Sequence, residues 1–502
     1  MKRGKKIFCL LWVFFLGGVL FAEGMLLTGN TLPTGSAFST RSVLSSRGAL
    51  YLKSVLTKGS SVPFSQPANL SAPLPVDDEY LIGTLDNGLT YYIREATNPR
   101  GRAEFFIVHN VGSLQEEDDQ RGLAHFLEHM AFNGTKNFPG KSLLEYFGSI
   151  GVKFGANINA YTSMDRTVYN ISDVPVDRSS VVDSALLALH DWSHYITCDA
   201  EELEKERGVV REEWRRGDVS ATRMMKAISR FQQTGSRFAE RDVIGLPSVI
   251  DTFERQTLID YYHRWYRPDL QAVIVVGDID KTEMEQRIIR TFSTIPAVKD
   301  APVRQTYDVP DNKEPIVGYF TDPETSAIST RITIKIPPLT HEEKQSDLYL
   351  YEELLDKVFL EMMRNRFRVA ATNPEAPFRT VIPVFSTISY ASKLFTSTAI
   401  PVEDEETFET LEVVQEEIDD LVAEGPTEQE VQEIKLYLEK RFTDRKKNVS
   451  WMAILSSALK GEPNLELEQL ELLEQVNARK VHTFAKRLFE SGNRMTFVFE
   501  PL

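Results

Sequence analysis

The strongest constraint on the fold is a pattern that the chain repeats. A helix-forming segment around Gln256–Trp265 precedes the apolar, strand-like run Ala272–Asp280. The chain ends in the same order, with helix-forming Ala478–Glu490, a short polar turn and apolar Arg494–Phe499. Strand-like and helix-like stretches come before each ending, which indicates two diverged copies of one unit. We therefore expect an α+β fold with two related domains, each an antiparallel sheet packed with helices.

Composition shifts mark the boundaries of these units. A stretch rich in proline and charge, Pro296–Pro315, is typical of an interdomain connection. Residues 23–76 are rich in Ser, Leu, Thr, Gly and Pro and carry few charges, so we interpret them as a linker or pro-segment. The predicted domains then occupy residues 77–300 and 301–502.

The first 22 residues are typical of a secretory signal peptide. A basic start precedes the apolar run Ile7–Phe21, whose 15 residues are too few for an ordinary membrane span. Cleavage after Ala22 would leave Cys198 as the only cysteine, and no intrachain disulfide could form. We expect a periplasmic or secreted protein. An uncleaved anchor is the alternative, because Leu20, two residues before Ala22, is larger than the residue usual at that position of a cleavage site.

Charge and cysteine content exclude two classes of site. The 57 basic and 73 acidic residues give a net charge of −16, which argues against a nucleic-acid partner. Two cysteines exclude a multi-cysteine zinc site, so any metal must be held by histidines and carboxylates. Acidic clusters at Glu403–Glu406 and Glu416–Asp420 are typical of solvated helix faces; an acidic wall that favours basic substrates is the alternative.

Metal chemistry is indicated by His125, Glu128 and His129, which form the pattern His-x-x-Glu-His. Positions i and i+4 of a helix share a face, so both imidazoles can reach one zinc ion. Glu128 lies where it can act as a general base without being a ligand, as in inverted zinc-protease helices. His190 and His194 have the same spacing but no acid in the base position, and their apolar neighbours indicate packing.

A hydrolytic zinc site needs a third protein ligand from another element. The helix predicted to begin after the N-cap Asp199 is rich in carboxylates. Chemistry alone does not choose among its glutamates. They are Glu201, Glu202, Glu204, Glu206, Glu212 and Glu213.

These motifs resemble those of the pitrilysin/insulinase family of inverted zinc metallopeptidases. In that family a ligand glutamate, within a segment like ERxVVxE, follows the His-x-x-Glu-His motif after 76 residues, and 76 residues separate His129 from Glu206 here. The resemblance implies Glu206 as the third ligand beside His125 and His129. It implies Glu213 as a second acid outside the ligand set.

A further segment, Phe154–Tyr169, is similar to the family's NAxTSxxxTxY strand. In relatives this edge strand pairs with an extended peptide substrate. The resemblance implies that Asn159 and Ala160 meet the substrate backbone by β-augmentation. The alternative is an ordinary sheet strand whose asparagine caps a turn.

The resemblance covers roughly residues 77–502. Over this range the chain is similar to the N-terminal catalytic half of the long bacterial periplasmic members. Full-length relatives have four domains in two clamshell halves, and the second half supplies an Arg and a Tyr seven residues apart. The comparable segment here, Phe359–Arg368, has no tyrosine seven residues after any of its arginines. The resemblance thus implies a catalytic zinc-binding domain over 77–300 and an inactive homologue over 301–502. A second family chain, in a homodimer or heterodimer, is expected to complete the site.

The sequence therefore predicts a secreted zinc endopeptidase that cleaves peptides or unfolded polypeptides. One zinc ion per chain would activate a water molecule, with Glu128 as the general base. The alternative is a non-hydrolytic binding or assembly subunit of a paired peptidase complex. Glu128 argues against that alternative, because a structural metal site has no use for a carboxylate at the open position.

Overall fold

The computed structural model describes residues 24–26, 80–312, 314–340, 342–447, 469–490 and 493–502. The predicted signal peptide and all of the predicted linker except residues 24–26 lie outside these ranges. Within the described ranges, no helix has both the length and the apolar character that a membrane span requires.

The described residues form two sheets and a set of covering helices. In chain order the strands are β1 (Gly24–Leu26), β2 (Tyr80–Thr84), β3 (Thr90–Glu95), β4 (Arg102–His109), β5 (Ile158–Thr162), β6 (Thr167–Pro175), β7 (Gln271–Gly277), β8 (Ile316–Asp322), β9 (Ser329–Ile336), β10 (Phe378–Ile388), β11 (Ser392–Pro401) and β12 (Arg494–Pro501). The α-helices are α1 (Leu123–Met130), α2 (Ser142–Ser149), α3 (Ser179–His194), α4 (Ala200–Gly217), α5 (Ser220–Gln232), α6 (Pro247–Ile250), α7 (Arg255–Trp265), α8 (Lys281–Phe292), α9 (Asp347–Ala370), α10 (Thr407–Glu424), α11 (Glu428–Lys447), α12 (Gln469–Glu474) and α13 (Ala478–Phe489).

The two sheets have the same topology. The first has the strand order β2-β3-β7-β4-β6-β5, and the second has the order β1-β8-β12-β9-β11-β10. In each, the last strand of the unit pairs in parallel with the second strand, and the other neighbours are antiparallel. The predicted α+β fold with two related units is confirmed. The one parallel pair in each sheet departs from the expected antiparallel pattern, because the chain returns to the last strand through helices.

Each sheet packs its apolar side chains against helices. In β4, Phe105 and Ile107 belong to the main core, which contains helical residues, whereas Phe106 and Val108 join a smaller cluster on the opposite face. This alternation follows from the two-residue period of a strand. Helices α1, α3 and α8 pack on the first sheet, and α9, α10 and α13 pack on the second.

Helix α5 joins the first unit to the second sheet. Its Met224 and Ile228 pack against aromatic side chains of β8 and β12. Arg223, one residue before Met224, donates through Nε and Nη2 to the two carboxylate oxygens of Asp322, at 2.8 Å and 2.9 Å. Bidentate pairing of this kind fixes orientation as well as distance.

Candidate metal centre

The two histidines of the predicted motif lie together on α1. Every residue of this helix is buried; His125 is 8% exposed, His129 5% and Glu128 2%. The imidazole centroids of His125 and His129 are 4.7 Å apart. The spacing of the motif therefore gives the shared helix face that the sequence predicts.

The start of α1 has no cap from its own first residues. Gly122 has φ 106°, a left-handed conformation that favours glycine. Gly245 packs against it so closely that a Cβ on Gly245 would lie 2.3 Å from the Cα of Gly122. The buried carboxylate of Glu116 supplies the cap. Its oxygens accept hydrogen bonds from the main-chain N–H groups of Gly122 and Ala124, at 3.0 Å and 2.8 Å.

We expect Glu116→Ala to lower the free energy of unfolding by about 2 kcal/mol, because two buried N–H groups lose their acceptors. Urea unfolding measures this difference. Asp119→Ala is the matched control, since Asp119 is an exposed acid of the same loop. Equal stability of the Glu116 variant and the unaltered chain would contradict the capping role.

Helix α4 brings a carboxylate to the two histidines. As predicted, α4 follows the N-cap Asp199, whose side chain accepts from the N–H groups of Glu201 and Glu202. Glu213 Oε2 lies 3.3 Å from His129 Nε2, and its Oε1 lies 3.8 Å from His125 Nε2. Ligand atoms of these three residues all lie within 4.8 Å of one another, and the described part of the chain holds no other such group.

Three atoms of this group are buried and lack hydrogen-bond partners among the described residues: Nδ1 of His125, Nε2 of His129 and Oε2 of Glu213. The last two lie 3.3 Å apart. Buried polar atoms are nearly always partnered, so the adjacent Nε2 of His129 and Oε2 of Glu213 are placed as ligands of a cation would be. Two imidazole nitrogens and one carboxylate, with a position left open, are a donor set that fits zinc.

Glu206 lies on the other side of His129. Its Oε1 is 2.7 Å from His129 Nδ1, and its Oε2 accepts from Asn133 Nδ2 at 2.8 Å. Lys141 in turn donates to Asn133 Oδ1. These contacts orient the imidazole and leave its Nε2 for the metal.

The geometry differs from the sequence-based expectation for the two glutamates. Glu213 lies beside Nε2 of both histidines and Glu206 lies beside Nδ1 of His129, so we propose Glu213 as the ligand and Glu206 as the outer carboxylate. The two residues are seven apart, or about two turns and 10 Å along the helix, so only one of them can reach a given metal. Counting residues from His129 does not decide which, because the loops between α1 and α4 can vary in length.

Burial and neighbouring charges shift the pKa values at this site. Burial lowers the pKa of His125 to about 4. Burial also disfavours a charged His129, but the adjacent carboxylates of Glu206 and Glu213 outweigh it and raise the pKa of His129 to about 10. Burial raises the pKa of the Glu128 carboxyl to about 7. A carboxyl with such a pKa is suited to accept and release protons near neutral pH.

Strand β5 lies beside the motif and at the free edge of the first sheet. Its last residue, Thr162, donates through Oγ1 to Glu128 Oε2 at 2.6 Å. The side-chain amide of Asn159 lies 3.1 Å and 3.3 Å from the carbonyl oxygens of Ile158 and Gly155, and with its nitrogen assigned to this side it donates to both and stabilises the preceding turn. Ala160 is buried beneath the strand. Contact of Asn159 and Ala160 with a substrate stays a prediction.

The other histidine pair lies in a packed region. His190 Nε2 is 3.0 Å from Thr294 Oγ1, and His194 Nδ1 is 3.2 Å from the carbonyl oxygen of Tyr266. These contacts agree with the packing role expected from the sequence.

Sequence reasoning missed Glu116, Asn133 and Thr162. Of these, only Asn133 had a signal, since it follows His129 by one helical turn.

Comparison with known families gives two adjacent matches. Residues 92–241 match the family described as "Insulinase (Peptidase family M16)", and residues 252–438 match "Peptidase M16 inactive domain". The chain is 40% identical over 232 residues to "Probable zinc protease PqqL" of Escherichia coli, which is 46% of this chain and 25% of that protein. It is 34% identical over 301 residues to "Zinc protease PQQL-like" of Arabidopsis thaliana, 59% of this chain and 31% of that protein. The match thus spans a third or less of each of these two relatives.

Solved structures share the fold. The first half of the periplasmic protease PqqL from Escherichia coli matches with a TM-score of 0.78 and 26% identity, over 85% of this chain and 93% of that one. Pitrilysin matches with a TM-score of 0.65 and 16% identity, over 87% of this chain and 46% of that one. The second likeness concerns the fold alone.

Proposed function

Because the chain belongs to the M16 family of peptidases, we propose that it is a zinc-dependent endopeptidase that cleaves peptides or unfolded polypeptides. The observation that carries this proposal is the cluster of His125, His129 and Glu213, with ligand atoms within 4.8 Å of one another and Glu128 on the same helix. A site that only held a metal for stability would not need Glu128. The alternative of a purely non-hydrolytic subunit has no observation of its own in its favour.

The roles of the side chains follow from their positions. A zinc ion held by His125, His129 and Glu213 would polarise the scissile carbonyl and lower the pKa of a water molecule toward about 7. Glu128 takes the proton of the attacking water and delivers it to the leaving amine. Glu206 holds the ring of His129 through Nδ1, at 2.7 Å. The free edge of β5 pairs with the main chain of an extended substrate, which gives affinity with little demand on sequence.

A second family chain is part of the proposal. The match to the first half of the Escherichia coli protease supports it, as does the missing Arg and Tyr pair in Phe359–Arg368. The partner would be a second copy of this chain or a related chain. We also propose a periplasmic or secreted location, supported by the signal-like N-terminus and by the periplasmic description of that neighbour.

Chelation tests this proposal. The purified chain should cleave a quenched fluorescent peptide or an unfolded protein, and removal of zinc by a chelator should lower the rate by at least about 100-fold, because the Lewis acid is lost. Added zinc should restore the rate. The assay runs over a range of chain concentrations, since a site completed by a second copy gives a specific activity that rises with concentration. Cleavage unaffected in verified zinc-free protein would contradict a zinc peptidase.

A further inference from the structure

We propose that Thr162 is a positioning residue that couples pairing of a peptide strand at the β5 edge to the alignment of Glu128. This inference rests on the proposed peptidase function and assigns a part in it to a residue of the edge strand. Thr162 is separated from Glu128 by 33 intervening residues in the chain and lies on a strand, whereas Glu128 lies on a helix.

The first observation is the contact itself. Thr162 Oγ1 donates to Glu128 Oε2 at 2.6 Å, a short distance typical of a hydroxyl bonded to a carboxylate. It is the one side-chain hydrogen bond that Glu128 makes among the described residues. Glu128 is 2% exposed, so water cannot readily replace this donor. The hydroxyl therefore holds one carboxylate oxygen and leaves the other, Oε1, to exchange a proton.

The second observation is the hydrogen-bond pattern of β5 and β6. Ser172 N–H donates to the carbonyl of Asn157, and Ser163 N–H donates to that of Arg166, both at 2.8 Å. In an antiparallel pair, alternate residues turn their main-chain groups toward the partner strand. Odd-numbered residues from 157 to 163 thus face β6. The main-chain groups of residues 158, 160 and 162 face the free edge.

The main-chain groups of one of these three residues already have hydrogen-bond partners. The N–H of Ile158 donates to the carbonyl of Lys153 at 3.1 Å, and its carbonyl accepts from Gly155 N–H at 3.0 Å. Among the described residues, nothing bonds the main-chain groups of Ala160 and Thr162 on this side, so these are the residues of β5 that an added strand would pair with. An added peptide would therefore bond the backbone of the same residue whose hydroxyl holds Glu128.

This double role has a mechanical consequence. The main-chain groups of Thr162 point away from β6, so an added strand would supply hydrogen bonds that β6 does not give this residue. Pairing with a peptide would narrow the range of positions of the Thr162 backbone, and its hydroxyl would follow. The carboxylate of Glu128 is then best aligned when a peptide strand is in place.

Replacement by valine and by serine tests the coupling. Thr162→Val keeps the shape and removes the hydroxyl, and we expect kcat to fall about 10- to 100-fold with KM changed less than about threefold, since a hydrogen bond to a charged group is lost. Thr162→Ser keeps the hydroxyl and should retain kcat within about threefold. Thr90→Val, in β3 of the same sheet, is the matched control. Equal losses in the serine and valine variants, or a loss confined to KM, would overturn the coupling.

Crystal structures of both variants give a readout that does not depend on turnover. Glu128 should keep its rotamer in Thr162→Ser and adopt other rotamers in Thr162→Val. An unchanged Glu128 in the valine variant would overturn the proposal. Lack of chelator-sensitive cleavage by the unaltered chain would count against the peptidase function, and the two crystal structures would still decide whether Thr162 positions Glu128.

Discussion

Glu128→Gln is expected to lower kcat for peptide cleavage by about 1,000-fold while zinc binding stays near one ion per chain. Glutamine has nearly the same shape and can still accept the hydrogen bond from Thr162 Oγ1. It cannot accept a proton, and proton transfer by a positioned carboxylate typically contributes 10²- to 10⁴-fold to the rate. Steady-state kinetics with a quenched peptide measure the loss, and elemental analysis measures the zinc content.

The control for this variant is Glu212→Gln on α4. Glu212 pairs with Arg215 and Arg216 at the surface, at 2.8 Å in each case, so its replacement should leave cleavage and zinc content unchanged. Normal turnover by Glu128→Gln would exclude Glu128 as the base. Loss of zinc together with activity would instead mean that Glu128 helps to hold the metal.

The helix motif was the part of the site most accessible to sequence reasoning. His125 and His129 are four residues apart, and helical geometry alone brings their rings together, at 4.7 Å between centroids. The fold was accessible for a similar reason, since the repeated helix and strand ending implied two related units. Both signals depend on local periodicity, which a single sequence carries.

The parts that sequence reasoning missed depend on contacts between distant elements. Thr162 reaches Glu128 from a neighbouring strand, and the cap by Glu116 joins a side chain to main-chain N–H groups that have no sequence signature. The choice between Glu206 and Glu213 depends on how far α4 extends past α1. Counting residues from His129 gives a position along the chain. Which glutamate can bind the metal depends instead on which turn of α4 lies beside α1 in space.

Glu213→Gln and Glu206→Gln should separate the two glutamates by zinc affinity. Glu213→Gln would remove a coordinating carboxylate from the site, and we expect it to weaken zinc binding by roughly 1,000-fold or more. Glu206 would lose only the charged partner of His129 Nδ1, and replacement of such outer partners typically costs about 10- to 100-fold. Titration against a competing zinc chelator measures both values on the folded protein.

Glu212→Gln serves again as the control, because it makes the same chemical change one residue from Glu213, on a side chain that pairs with Arg215 and Arg216. The test compares the zinc affinities of the two variants with each other. It therefore does not depend on knowing how much affinity the loss of one ligand removes. A weaker site in Glu206→Gln than in Glu213→Gln would restore the assignment that the residue count favoured. Equal losses would contradict the assignment of one glutamate to the metal and the other to the His129 ring. A loss in Glu213→Gln that exceeds the loss in Glu206→Gln by at least about tenfold would establish that α4 presents Glu213, two turns past Glu206, to the metal.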